Sequence, residues 1–298
     1  MTPLQHYIAE EIATDHVDGL LSRREALRRL SLLGVGTAAA AALIAACGER
    51  TQPRSAPATT PGAALPPGAD HTVPTAPITW AGPAGELQGA WAAAAEPRGG
   101  VLVIHENKGL NDYIRSVAGR FAGIGYSALA IDLLSSHGGT RAFADPAAAT
   151  AALSTIGTDE FVANLRSGVD ELQRRVPGRK LAVVGFCMGG GLAWQLLAAG
   201  APQLAAAFPF YGPAPDNPDF SGSKGVAVLG FYGALDQRVT STEPVVQAAL
   251  EKAGLVHELV VEPDANHAFF NDTGDRYHPA AAADAWRRMK DWLATYVG

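Results

Sequence analysis

A rhythm in the second half of the chain narrows the fold most. From about Ile78 onward, short unbroken apolar runs alternate with amphipathic segments. Residues 101–105, 126–131, 181–184, 204–210, 226–231 and 258–261 read as strands, and segments near 111–122, 146–154, 159–175 and 280–296 read as helices. The last helix is expected to present Ala283, Trp286, Met289, Trp292 and Leu293 on one face. A strand that is apolar on both sides must be covered on both sides. The pattern therefore predicts an α/β fold with a mostly parallel central sheet and helices on both faces. Residues 78–80 and 86–93, separated by Gly82-Pro83-Ala84-Gly85, predict an opening hairpin. In such sheets chemistry gathers at the carboxyl ends of the strands.

Three strand ends carry reactive side chains. Gly185-Phe186-Cys187-Met188-Gly189-Gly190-Gly191 stands between a strand and a helix, in the G-x-S-x-G elbow pattern with Cys in place of Ser. Glycines at Gly185 and Gly189 suit a strained turn, and the helix N-terminus behind it favours thiolate and oxyanion alike. Asp236 closes the run at 226–233, and His267 follows the run at 258–261. A histidine to move the proton and an aspartate to orient its ring complete a nucleophilic set in the order Cys187, Asp236, His267.

The N-terminal region reads as a separate segment. Residues 30–47 are uncharged and apolar and follow Arg23, Arg24, Arg28 and Arg29, the layout of an export signal. The stretch around Arg23-Arg24 resembles a twin-arginine address, with Ala26 standing where a bulkier apolar residue is usual. Ala45-Ala46-Cys47-Gly48 resembles a lipobox, in which Cys47 is lipidated and becomes the mature N-terminus. The same residues also fit an uncleaved anchor or a cleaved signal with an incidental cysteine. The expected organisation is an export signal at 1–47, a Pro/Ala/Thr-rich linker at 48–76 and one catalytic domain at 77–298. Lys+Arg 23 against Asp+Glu 29, without a basic patch, speaks against a nucleic-acid partner. With only Cys47 and Cys187, a disulfide scaffold or a four-cysteine zinc site is excluded, and no metal or cofactor is expected.

From about residue 78 to the end, the chain resembles the dienelactone hydrolase family of the α/β-hydrolase superfamily. The resemblance rests on Gly185-Phe186-Cys187-Met188-Gly189-Gly190, on Asn266-His267-Ala268-Phe269 and on His105-Glu106-Asn107. It implies a Cys187-His267-Asp236 triad. It implies that Glu106 contacts the resting thiol and takes its proton when substrate arrives, and that the backbone N–H groups of Met188 and Asn107 form the oxyanion hole. Tyr211 resembles a family pocket tyrosine and equally fits a core position. The family's founding members clamp a substrate carboxylate with two arginines. Ser136 and Asn271 occupy those positions here, leaving His137, Arg141 or Arg276 as neighbouring candidates for the pocket.

The expected activity is hydrolysis of carboxylic esters or lactones by a monomer tethered in the cell envelope through a lipid, with a small-molecule substrate. The alternative from another class is a non-catalytic envelope binding protein on the same scaffold. A serine lipase lacks its G-x-S-x-G after a strand, and His105-Glu106 lacks the second histidine of H-E-x-x-H.

Overall fold

The computed structural model describes residues 1–48 and 65–298. In chain order the helices are α1 (Pro3–Val17), α2 (Arg23–Leu32), α3 (Thr37–Gly48), α4 (Asp112–Gly123), α5 (Pro146–Leu153), α6 (Thr158–Arg175), α7 (Met188–Ala198), α8 (Gln237–Thr240), α9 (Glu243–Ala253) and α10 (Pro279–Tyr296). The strands are β1 (Ala76–Gly82), β2 (Gly85–Ala92), β3 (Gly99–Ile104), β4 (Tyr126–Asp132), β5 (Leu181–Phe186), β6 (Leu204–Phe210), β7 (Ala227–Gly233) and β8 (His257–Glu262). Two compact units result, one comprising the described residues of Met1–Ala64 with Arg141–Ile156, the other Leu65–Thr140 with Gly157–Gly298.

In the first unit α1 opens with a capping box. The Thr2 hydroxyl accepts from the Gln5 N–H and the Gln5 side chain accepts from the Thr2 N–H, with Pro3 at the first helical position. Helix α2 starts at Ser22, whose hydroxyl accepts from the Glu25 N–H. Arg28 bridges Glu25 and Asp145, each at 2.8 Å, tying α2 to the start of α5. The apolar run at 30–47 is not one continuous helix. It breaks at Gly34, whose φ of 78° only glycine adopts at low cost, and restarts at Thr37. Among the described residues no helix is long and apolar enough to cross a membrane.

The second unit is built on an eight-stranded sheet of order β1-β2-β4-β3-β5-β6-β7-β8. The β1–β2 and β2–β4 pairs are antiparallel and all others parallel, in agreement with the expected α/β fold and opening hairpin. Strands β3, β4, β5 and β7 are buried at every residue, which is why their sequences are apolar without alternation. Helix α10 buries Ala281, Ala282, Ala285, Trp286, Met289 and Leu293. Each of its large side chains contributes about 1.5–3 kcal/mol by leaving water. Ala283 is exposed, one residue and about 100° off that stripe, and Trp292 is half-buried with its indole N–H donating to the Ala227 carbonyl.

The linker expected over 48–76 behaves differently in its second part. Residues 49–64 lie outside the described residues, but 65–75 pack on the hydrolase unit. The Val73 N–H donates to the Gly119 carbonyl of α4 at 3.0 Å, and Arg120 reaches the Pro67 carbonyl.

Strand order decides where a site can form. Strands β4 and β5 flank β3 on opposite sides, so the chain winds away from the β3–β5 seam in both directions. Loops leaving the carboxyl ends of β3 and β5 diverge there and leave a crevice, the topological switch point of an open α/β sheet.

Candidate active site

Register brings the strand ends together. Ile104 pairs with Gly185, so the chains that continue to Glu106 and to Cys187 leave the sheet at the same level. Phe186 pairs with Phe210, which sets Tyr211 beside Cys187. Gly233 pairs with Glu262, from which the loops bearing Asp236 and His267 emerge.

Cys187 sits in the elbow between β5 and α7 with φ 56° and ψ −118°, backbone strain that surrounding contacts must hold. Its N–H donates to the Phe210 carbonyl and its carbonyl accepts from Gly191 N–H, each at 3.1 Å. The neighbouring glycines are required by close approach. A Cβ on Gly185 would collide with the Gly189 carbonyl, and one on Gly189 would stand 2.5 Å from the Ile104 oxygen and 2.6 Å from the His105 oxygen. The end of β3 is thus pressed directly against the elbow.

The Asp236 and His267 loops are stapled to each other by the Leu235 N–H, which donates to the Ala265 carbonyl at 2.9 Å. His267 Nδ1 meets Asp236 Oδ2 at 2.6 Å, and both residues are buried. Burial pushes the Asp236 carboxyl up, but His267, with Arg238 and Arg276 nearby, outweighs it and holds the group below the usual range. The carboxylate therefore stays ionised and favours the His267 tautomer whose proton is on Nδ1, which leaves the Nε2 lone pair available to accept. A His267 ring nitrogen and the Cys187 sulfur lie within 4.8 Å of each other.

Glu106 and Asn107 follow β3 and are buried, as is Met188 at the first position of α7. Glu106 Oε2 accepts a 2.8 Å hydrogen bond from Asn271 Nδ2, whose own Oδ1 accepts from the backbone and hydroxyl of Thr273. Asn271 stands at a position where the founding members carry a clamp arginine, and here its amide is engaged by protein. Tyr211 is fully buried with a φ of 35°, its ring edge-on to His267 at 5.2 Å. Burial, together with Tyr113, Glu106 and Cys187 nearby, raises its phenol well above the usual range, so the hydroxyl stays neutral. Phe186, Phe210 and Phe270 continue this apolar wall.

The remaining expected pocket residues are less closely drawn in. His137 is exposed, with its Nδ1 3.1 Å from the hydroxyl of Ser136. Arg141 is exposed and belongs to the first unit. Arg276 is half-buried and close enough to Asp236 to act on its charge. Two further residues at the site lie outside the sequence motifs. Tyr113 on α4 is buried beside Tyr211 and Glu106, and only its place in the first turn after the β3 loop hinted at this. Asn271 stood out by its position alone, without any sign that it binds Glu106.

A mostly parallel sheet with a strand-to-helix elbow at the switch point, followed by an acid and a histidine after later strands, defines an α/β-hydrolase. Residues 87–297 match the Dienelactone hydrolase family, and the chain belongs to it. It is 34% identical over 210 residues to a protein of Salmonella typhimurium named "Putative carboxymethylenebutenolidase", covering 66% of this chain and 77% of that one. A relative of the same name from Saccharolobus solfataricus is 30% identical over 236 residues, covering 68% and 91%. The crystal structure of a "Putative Dienelactone Hydrolase" from Klebsiella pneumoniae superposes with TM-score 0.63 at 30% identity, covering 74% of this chain and 100% of that one. The protein is a carboxylic ester hydrolase of the carboxymethylenebutenolidase-like kind.

Proposed function

We propose that the protein hydrolyses uncharged carboxylic esters or lactones through a thioester on Cys187. The observation that carries the proposal is the elbow cysteine at the N-terminus of α7, with the Asp236-bound His267 within 4.8 Å. The thiol proton passes to Glu106 and the sulfur attacks the carbonyl carbon. The Met188 and Asn107 N–H groups stabilise the oxyanion. Collapse breaks the bond to the leaving oxygen, which takes the proton by way of His267. Water then attacks the thioester, His267 receives its proton and returns it to sulfur as the acid departs. The substrate class follows from Ser136 and Asn271. Neither presents the guanidinium that holds a carboxylate in two parallel bonds, and Asn271 already serves Glu106.

Residues 1–47 act as the export address and Cys47 as the lipid acceptor, a reading supported by the arginine pairs and the Ala45-Ala46-Cys47-Gly48 sequence. The enzyme then works in the cell envelope on small substrates. The test of the activity is hydrolysis of p-nitrophenyl acetate by the full chain and by Cys187→Ala. Loss of nearly all turnover in the variant is expected, and equal rates would refute the proposal.

A further inference from the structure

His105 is fully buried at the end of β3, and the catalytic steps above make no use of it. Its two ring nitrogens have different partners. The Leu133 N–H, just past β4, donates to Nε2 at 3.1 Å, so Nε2 is the acceptor and carries no proton. The proton is therefore on Nδ1, which donates to the Glu106 carbonyl at 2.6 Å. Burial lowers the ring's affinity for a second proton, with Asp132 opposing, so the imidazole stays neutral in this tautomer.

The Glu106 carbonyl and the Asn107 N–H are two ends of one peptide unit. That unit is planar and trans, so its N–H points opposite to its C=O. Whatever holds the carbonyl aims the amide. The Gly109 N–H also reaches this oxygen, at a longer 3.3 Å. The same stretch of backbone is pressed against the elbow, since the His105 oxygen would stand 2.6 Å from a Cβ on Gly189. Resting on the activity proposed above, we infer that His105 is a positioning residue that aims the Asn107 N–H at the developing oxyanion by gripping the carbonyl of the same peptide. Accepting a hydrogen bond at the carbonyl also polarises the amide and strengthens its N–H as a donor.

The two nitrogens can be separated by substitution. Asn places an N–H close to the position of Nδ1 and nothing at Nε2, whereas Gln reaches the Nε2 position and leaves Nδ1 empty. In the full chain, His105→Asn is expected to keep kcat for p-nitrophenyl acetate within about fivefold. His105→Gln and His105→Leu should lose about 10- to 100-fold in kcat with little change in KM, since loss of one oxyanion donor costs roughly 100- to 1,000-fold. A peptide-aldehyde-type inhibitor, which forms a hemithioacetal oxyanion, should weaken in parallel with kcat. Alkylation of Cys187 by iodoacetamide, which develops no oxyanion, should stay at the wild-type rate in all three. Equal losses in the Asn and Gln variants, wild-type kcat in a folded His105→Leu, or a parallel fall in alkylation would overturn the inference. Should Cys187→Ala hydrolyse as fast as the wild type, the underlying activity proposal fails instead.

Discussion

At the scale of single residues, the departure that matters most is Asn271. An arginine at this position would set a full positive charge beside Glu106, whereas the amide offers one neutral donor at 2.8 Å. Hydrogen bonds to charged groups contribute about 1.5–3 kcal/mol net, so Glu106 is held in place without being neutralised. Asn271→Asp keeps the shape and replaces the donor by an oxygen facing Glu106. Two carboxylates then repel when both are ionised, while at low pH one carries a proton and donates to the other. The variant is expected to lose activity and melting temperature at pH 8 and to recover part of both near pH 5. Wild-type behaviour at both values, followed by turnover and calorimetry, would mean that the contact has no influence on Glu106. This pairing was not legible in the sequence, because it joins residues 165 positions apart in the chain. The His105 contacts were hidden for a related reason, since they depend on how β3 lies against β4.

At the scale of elements, the strands were legible because burial on both faces leaves an unbroken apolar run, and each run found a place in the sheet. The Cys187, Asp236 and His267 positions were legible because each follows such a run directly. What the pattern missed lies where short-range chemistry is weak. Residues 65–75 read as tether by composition yet are held on α4 by the Val73–Gly119 backbone hydrogen bond and the Arg120 side chain. The run at 30–47 reads as one segment yet turns at Gly34. Strand β8 carries a further feature at its end. Glu262 is buried, and burial, reinforced by the charge of Asp284, pushes its carboxyl up to about 7 from an ordinary 4.5. A carboxyl raised on folding favours the native state only while protonated. Its cost is absent below pH 4.5, develops between 4.5 and 7, and is complete above 7. Glu262→Gln should therefore melt a few degrees higher than wild type at pH 8 and close to wild type at pH 4.5. A lower melting temperature at pH 8 would contradict the assignment.

For the whole molecule, the proposed function gives the two cysteines separate tasks. Cys47 lies in the last turn of α3 in the first unit and Cys187 lies in the elbow of the second, and neither is in a disulfide. If Cys47 accepts a lipid, labelling of bacterial cells with a fatty-acid analogue should tag the wild-type protein and not Cys47→Ala. Equal labelling of both would exclude Cys47 as the acceptor. The proposed role of the other cysteine, Cys187, is to carry the acyl group. Its most direct test is intact-protein mass spectrometry of His267→Gln, in which deacylation is slowed, after mixing with p-nitrophenyl acetate. A single added acetyl group that maps to Cys187 and is absent from the His267→Gln/Cys187→Ala double variant is the expected result. An unmodified Cys187 in an enzyme that still releases p-nitrophenol would contradict it.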